Sequence, residues 1–108
     1  MKIILGHLGE GVPFLLWRIN NAFSRPGAKS LAFQDIFRKH FYVTTSGFFS
    51  DTALLCSVME LGVDRIMFSV DYPFEVQPPA PRWLANIPLC DEDKAKIASG
   101  NVTRLLKL

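Results

Sequence analysis

The sequence predicts an α/β fold of parallel strands with covering helices, built from three strand–helix units. Short runs of apolar and β-branched residues alternate with amphipathic stretches along the whole chain, which is the order a parallel sheet requires. The runs at Ile3–Leu5 and Ile66–Val70 each lead into a polar group, His7 and Asp71, where parallel α/β folds collect catalytic and metal-binding side chains.

The first strand, Lys2-Ile3-Ile4-Leu5, runs out into Gly6-His7-Leu8-Gly9-Glu10-Gly11. His7 and Glu10, three residues apart among glycines, suit an imidazole held in one tautomer by a carboxylate, and equally a tight turn with a surface glutamate. Val12, Leu15, Leu16, Ile19 and Phe23 then recur at helical spacing, with Pro13 in the first turn and Arg25-Pro26-Gly27 as the stop. Trp17 is read as core. Ser30 is placed to cap a second helix reaching Lys39, and Phe41-Tyr42-Val43-Thr44-Thr45 reads as the second strand, closed by Ser46-Gly47. Ser50 is the expected N-cap of a helix whose apolar face is Leu54, Leu55, Val58 and Leu61, with Gly62 as its stop.

Arg65 to Val70 is the third strand, apolar enough to be buried on both faces. Asp71 ends it, ahead of Tyr72 and Pro73; it reads either as the start of a turn or as a functional carboxylate. Pro78-Pro79-Ala80-Pro81 argues against regular structure and is read as a loop leading to a short helix through Trp83. Asp91 is expected to cap a helix from Glu92 to Ser99, Gly100 to stop it, and Asn101 to begin a last turn toward Leu108.

Composition narrows the class. With 49% hydrophobic residues, 20% charged residues and a net charge of +2, the chain reads as globular, and scattered Lys and Arg give no stripe for tracking a nucleic acid. No run approaches the roughly 20 apolar residues of a membrane helix, so the chain is read as soluble, and two cysteines without a disulfide framework make a reduced, cytoplasmic location the expectation. Cys56 and Cys90 have neither metal-ligand spacing nor a disulfide context.

Three ordered motifs carry a resemblance: Gly6-His7-Leu8-Gly9-Glu10 followed by Pro13-Phe14 and Leu16-Trp17-Arg18; Val43-Thr44-Thr45-Ser46-Gly47; and Phe68-Ser69-Val70-Asp71-Tyr72-Pro73-Phe74. With Ile97-Ala98-Ser99-Gly100-Asn101 and Leu105-Leu106, they resemble the amidohydrolase-related aromatic acid decarboxylases over essentially the whole chain. The resemblance implies a (β/α)8 barrel, and its last three βα units are what these 108 residues would supply, because a closed barrel takes roughly 250. Residues 1–108 are accordingly read as the C-terminal part of one barrel domain.

The function implied is metal-dependent, non-oxidative decarboxylation of a hydroxybenzoate-type aromatic acid, a carboxy-lyase reaction on a small aromatic carboxylate. In that family a divalent cation, Mn2+ or Zn2+, is held by a Glu-x-His pair, a further His and the Asp of the last strand. Only the last is matched, by Asp71, and no Glu-x-His occurs in this sequence. The resemblance assigns Asp71 as metal ligand and as the group that protonates the ring carbon, and His7, oriented by Glu10, as base or proton shuttle for the phenolic hydroxyl. It assigns Arg18 to the substrate carboxylate of a neighbouring subunit in a homo-oligomer, and Phe74 to the wall of the substrate pocket. Without it, Arg18 reads as a solvated helix face and Phe74 as packing. Asn20 stands where the family commonly has Asp, and His40 is read as structural or surface.

With one metal ligand the isolated chain is expected to be inactive. Two unpaired sheet edges and a partly uncovered apolar face are expected to make it self-associate or remain loosely ordered. The alternatives are a non-catalytic remnant of the fold and a hydrolase of the wider amidohydrolase superfamily.

Overall fold

Short strands are expected where β-branched and aromatic runs are only four or five residues long, and three such strands form one parallel sheet in the order β1 (Ile3–Leu5), β2 (Phe41–Thr44), β3 (Ile66–Met67). These are coordinates of a computed structural model that describes residues 1–28, 32–75 and 79–108. Ile3, Ile4 and Leu5 pair with Phe41, Tyr42 and Val43, and Val43 and Thr44 pair with Ile66 and Met67. Paired residues of parallel strands share a face, so Leu5, Val43 and Ile66 form one row. That row meets Leu8, Leu16, Phe37, Leu54, Leu61, Ile87 and Ile97 in the core. On the opposite face Ile4 is 47% exposed, while Tyr42 is buried beneath two cations, Lys2 and Arg65, which lie 5.3 and 4.7 Å from its ring centre.

The helices follow the sheet in turn. A helical turn α1 (His7–Glu10) leads into α2 (Val12–Phe23), then α3 (Phe33–His40) before β2 and α4 (Asp51–Leu61) after it. The Ser50 hydroxyl accepts from the Ala53 amide at 3.4 Å and Gly62, at φ 84°, closes α4, as both residue types dictate. Helix α3 has no cap of its own at Ala32. Asn20 of α2 supplies one, its side-chain oxygen accepting from the Gln34 amide at 3.1 Å; Ser30 lies outside the described residues. The rings of Phe23, Phe33, Phe37 and Phe41 are in successive contact, with centres 5.8, 6.1 and 4.5 Å apart, joining α2, α3 and β2. Trp17, by contrast with its expected core position, is 66% exposed on α2.

Further expectations change from the third strand onward. The third strand ends at Met67, not Val70, and Arg65 belongs to a 3-10 turn (Val63–Arg65). Past Met67 the backbone amide of Phe68 bonds a helix carbonyl, Ile97, at 2.9 Å, and that of Ser69 bonds the Thr45 hydroxyl at 2.9 Å, so a side chain and a carbonyl from the middle of the last helical run replace the ladder.

The proline run starts helix α5 (Pro79–Asn86), with Pro79 and Pro81 in the first turn, where amides have no intrahelical partner to lose; Pro78 lies outside the described residues. Gly100 does not stop the last helix. It is right-handed (φ −58°), and α6 (Asp91–Ala95) passes through a π-helical turn (Lys96–Gly100) into α7 (Asn101–Leu106), with Cys90 rather than Asp91 at the cap position.

The extra residue of that π turn fits the placement of Asn101, which is fully buried. Its amide nitrogen donates to the Val63 and Ile66 carbonyls at 2.8 and 2.7 Å, and its oxygen accepts from Arg104 at 3.1 Å. With Ile66 O and Phe68 N both taken by the C-terminal helix, the outer edge of β3 is covered. In place of the expected pair of open edges, the described residues leave one, at β1.

Candidate active site

The three strands end at the same side of the sheet, and left-handed backbone collects there. His7, Leu8 and Glu10 have φ of 47°, 51° and 53°, Gly9 has 79°, Ser46 32° and Asp71 68°. Such conformations disfavour L-residues by about 1–2 kcal/mol each, so they persist only where packing fixes them. In α1 the fixing groups are visible. Leu8 is buried in the core, the Gly9 amide bonds Gly6 O at 2.8 Å, and a Cβ on Gly9 would lie 3.1 Å from both Pro13 and Val43.

This left-handed turn sets His7 and Glu10 side by side, with His7 Nδ1 2.5 Å from Glu10 Oε1. Its Nε2 is 3.2 Å from Asp71 Oδ2. A carboxylate can only accept, so a ring bonded at both nitrogens to carboxylates donates from both and is the imidazolium. Accordingly the Asp71 carboxylate first, and Glu10 second, raise the His7 pKa above its ordinary 6.5, while partial burial acts weakly the other way.

The opposing loop completes the site. Thr44 Oγ1, Ser46 Oγ and Ser69 Oγ form a hydroxyl chain with steps of 2.5 and 2.8 Å, and the Thr45 hydroxyl bonds both backbone groups of Ser69. Gly47 is pressed against Asp71: a Cβ there would meet Glu75 Cγ at 2.6 Å and Asp71 Cβ at 3.3 Å. Thr45 and Gly47 were visible in the sequence only as part of a strand-closing Thr-Thr-Ser-Gly run.

Of the residues the sequence singled out, the structure brings His7, Glu10 and Asp71 together. Arg18 is exposed on α2 with no hydrogen bond or ion pair among the described residues. Phe74 is 84% exposed, on a turn closed by its own amide on Asp71 O at 2.8 Å. His40 Nδ1 donates to the Met1 carbonyl at 2.8 Å, away from the site. Among the described residues no three His, Cys, Asp or Glu side chains are arranged to hold a metal ion, so Asp71 alone does not make a metal site.

A concavity of about 640 Å3 between α2 and α4, lined by Leu8, Pro13, Phe14, Phe48 and Cys56 among others, includes neither His7 nor Asp71. Its one thiol, Cys56, is pushed up by burial and by Glu60, away from thiolate character. The strand-end cluster, with its paired carboxylates and charged ring, is the better candidate site.

Known proteins resemble this arrangement over its full length. The gamma-resorcylate decarboxylase of Polaromonas sp. (strain JS666) is 43% identical over 113 residues, which take in 100% of this chain and 35% of that enzyme. The crystal structure of a dihydroxybenzoic acid decarboxylase from Polaromonas sp. JS666, with bound manganese and the inhibitor 2-nitroresorcinol, superposes with a TM-score of 0.89 at 43% identity, covering 99% of this chain and 34% of that one. That of 5-carboxyvanillate decarboxylase from Sphingomonas paucimobilis gives 0.87 at 38% identity, covering 99% and 34%.

The chain thus spans about a third of the length of the relatives it matches, and the parallel sheet is a segment of their barrel. The amidohydrolase family model matches residues 1–108, and the strand-end site sits on its fold: the chain belongs to the amidohydrolase family.

Proposed function

We propose that this chain carries the proton-handling part of a hydroxybenzoate decarboxylase, a carboxy-lyase acting on a small aromatic carboxylate. The observation that carries the proposal is the His7 ring held between Glu10 and Asp71 at the strand ends, at 2.5 and 3.2 Å. In non-oxidative decarboxylation the bond from ring to carboxylate breaks, CO2 leaves without the bonding electrons, and the ring carbon takes a proton. Asp71 is the group we assign to deliver that proton, resupplied by the imidazolium at its Oδ2. His7, held by Glu10, exchanges a proton with the phenolic hydroxyl.

The described residues do not form a metal site, and the proposed chemistry of this chain stops at proton handling. Manganese is bound in the crystal structure of the Polaromonas relative, and we infer that Asp71 would be one ligand of such a cation, the others coming from barrel strands beyond these three. Arg18 and Phe74 are assigned to substrate across a subunit boundary and within the pocket, which is compatible with their exposure.

Complementation tests the reading. The chain is mixed with the first two-thirds of the Polaromonas enzyme as a separate polypeptide, with Mn2+ and 2,6-dihydroxybenzoate, while CO2 is followed. The expected outcome is no release by either piece alone, release by the pair, and loss of release in Asp71→Asn and His7→Asn. A pair that associates by light scattering yet releases no CO2 would favour a non-catalytic remnant, and release by the chain alone would show that it completes a site by itself.

A further inference from the structure

Beyond β3 one side chain holds the backbone that leads to Asp71 by two hydrogen bonds. Thr45 is fully buried, and its hydroxyl donates to the Ser69 carbonyl at 2.6 Å while accepting from the Ser69 amide at 2.9 Å. A hydroxyl is a donor and an acceptor at once, which is what both backbone groups of one residue demand. The same residue is fixed from its own backbone, since the Thr45 amide bonds Met67 O at 3.0 Å and its carbonyl takes the Phe48 amide at 2.7 Å. The adjacent Ser46 amide holds the Ser69 hydroxyl at 3.1 Å. Sheet pairing has ended by this point, and Asp71 follows two residues later in a left-handed conformation, with Gly47 directly beneath its Cβ.

We propose that Thr45 is a positioning residue for Asp71: its hydroxyl clasp on Ser69 sets where the chain leaves β3 and thereby holds the Asp71 carboxylate within reach of His7. This rests on reading Asp71 and His7 as the working pair. A threonine methyl would serve packing alone just as well on a valine, so the claim concerns the hydroxyl. Thr45→Val retains the shape and removes both bonds to Ser69, and Thr45→Ser retains the bonds and removes the methyl.

The test uses the 108-residue chain and measures no turnover, so it stands or falls separately from the decarboxylase reading. Hydrogen exchange is followed by mass spectrometry on peptides covering residues 68–75, together with carbethoxylation of the two histidines by diethyl pyrocarbonate, His40 serving as the internal reference. In Thr45→Val, uptake over 68–75 is expected to rise about tenfold and His7 to react several-fold faster relative to His40, with other peptides unchanged. Thr45→Ser is expected to restore both. Unchanged exchange and reactivity in Thr45→Val, no protection of 68–75 in the unsubstituted chain, or protection lost throughout the molecule would each overturn the proposal, the last by making Thr45 a general packing residue.

Discussion

At the scale of single residues, the site is a charged ring between two acceptors, and its pH behaviour follows. The His7 pKa is raised above 6.5, chiefly by Asp71 and then by Glu10, so its stabilising effect is fully present below about pH 6.5, the unfolded value, and is lost as pH rises through the folded value. A two-dimensional NMR titration of the imidazole is expected to give a His7 midpoint above 6.5, lowered by Glu10→Gln and lowered further by Asp71→Asn. A larger drop in the glutamate variant would reverse the ranking of the two partners. His7 and Asp71 were legible in the sequence because each is a polar group just past an apolar run, and Glu10 because it stands three residues from His7 among glycines. Thr45 was not, because a hydroxyl at a strand end reads the same whether it faces water or the backbone of a residue 24 positions on.

At the scale of elements, what local chemistry decides was legible and what tertiary contact decides was not. Ser50 and Gly62 bound α4 as their residue types dictate. Gly100 looks like the same kind of stop, yet the chain continues helically through it, because a stop there would take Asn101 from the carbonyls of Val63 and Ile66. The short β3 has the same origin: an apolar run specifies burial, and the partner that replaces the ladder beyond Met67 lies on another element. Asn101→Leu, similar in size, is therefore expected to lower stability by about 1–3 kcal/mol in a urea titration, the Ile66 carbonyl losing its donor while the Val63 carbonyl keeps the Ile66 amide. A loss under about 0.5 kcal/mol would mean that water or Arg104 takes over the bonds.

At the scale of the whole molecule, the barrel order was legible from three motifs, while the covering of its edges was not. The chain has a radius of gyration of 14.8 Å, against about 13 Å for a compact chain of this length, and an accessible surface of 6878 Å2, against roughly 6,100 Å2 for a folded monomer of its mass. Phe14, Trp17, Tyr72 and Phe74 contribute to that excess, at 66–84% exposure. Self-association with binding of a hydrophobic dye is the expected behaviour in light scattering, and a monomer that binds no dye would contradict it.

The covered edge of β3 limits what that association can become. A sheet that could add strands on both sides would template open-ended growth, but here Asn101 and the Ile97 carbonyl occupy one side and, among the described residues, leave the free edge at β1. Copies joined through that strand use up the free edge of each, so edge pairing terminates at two chains, and the last helix acts as a chain stopper against fibrils.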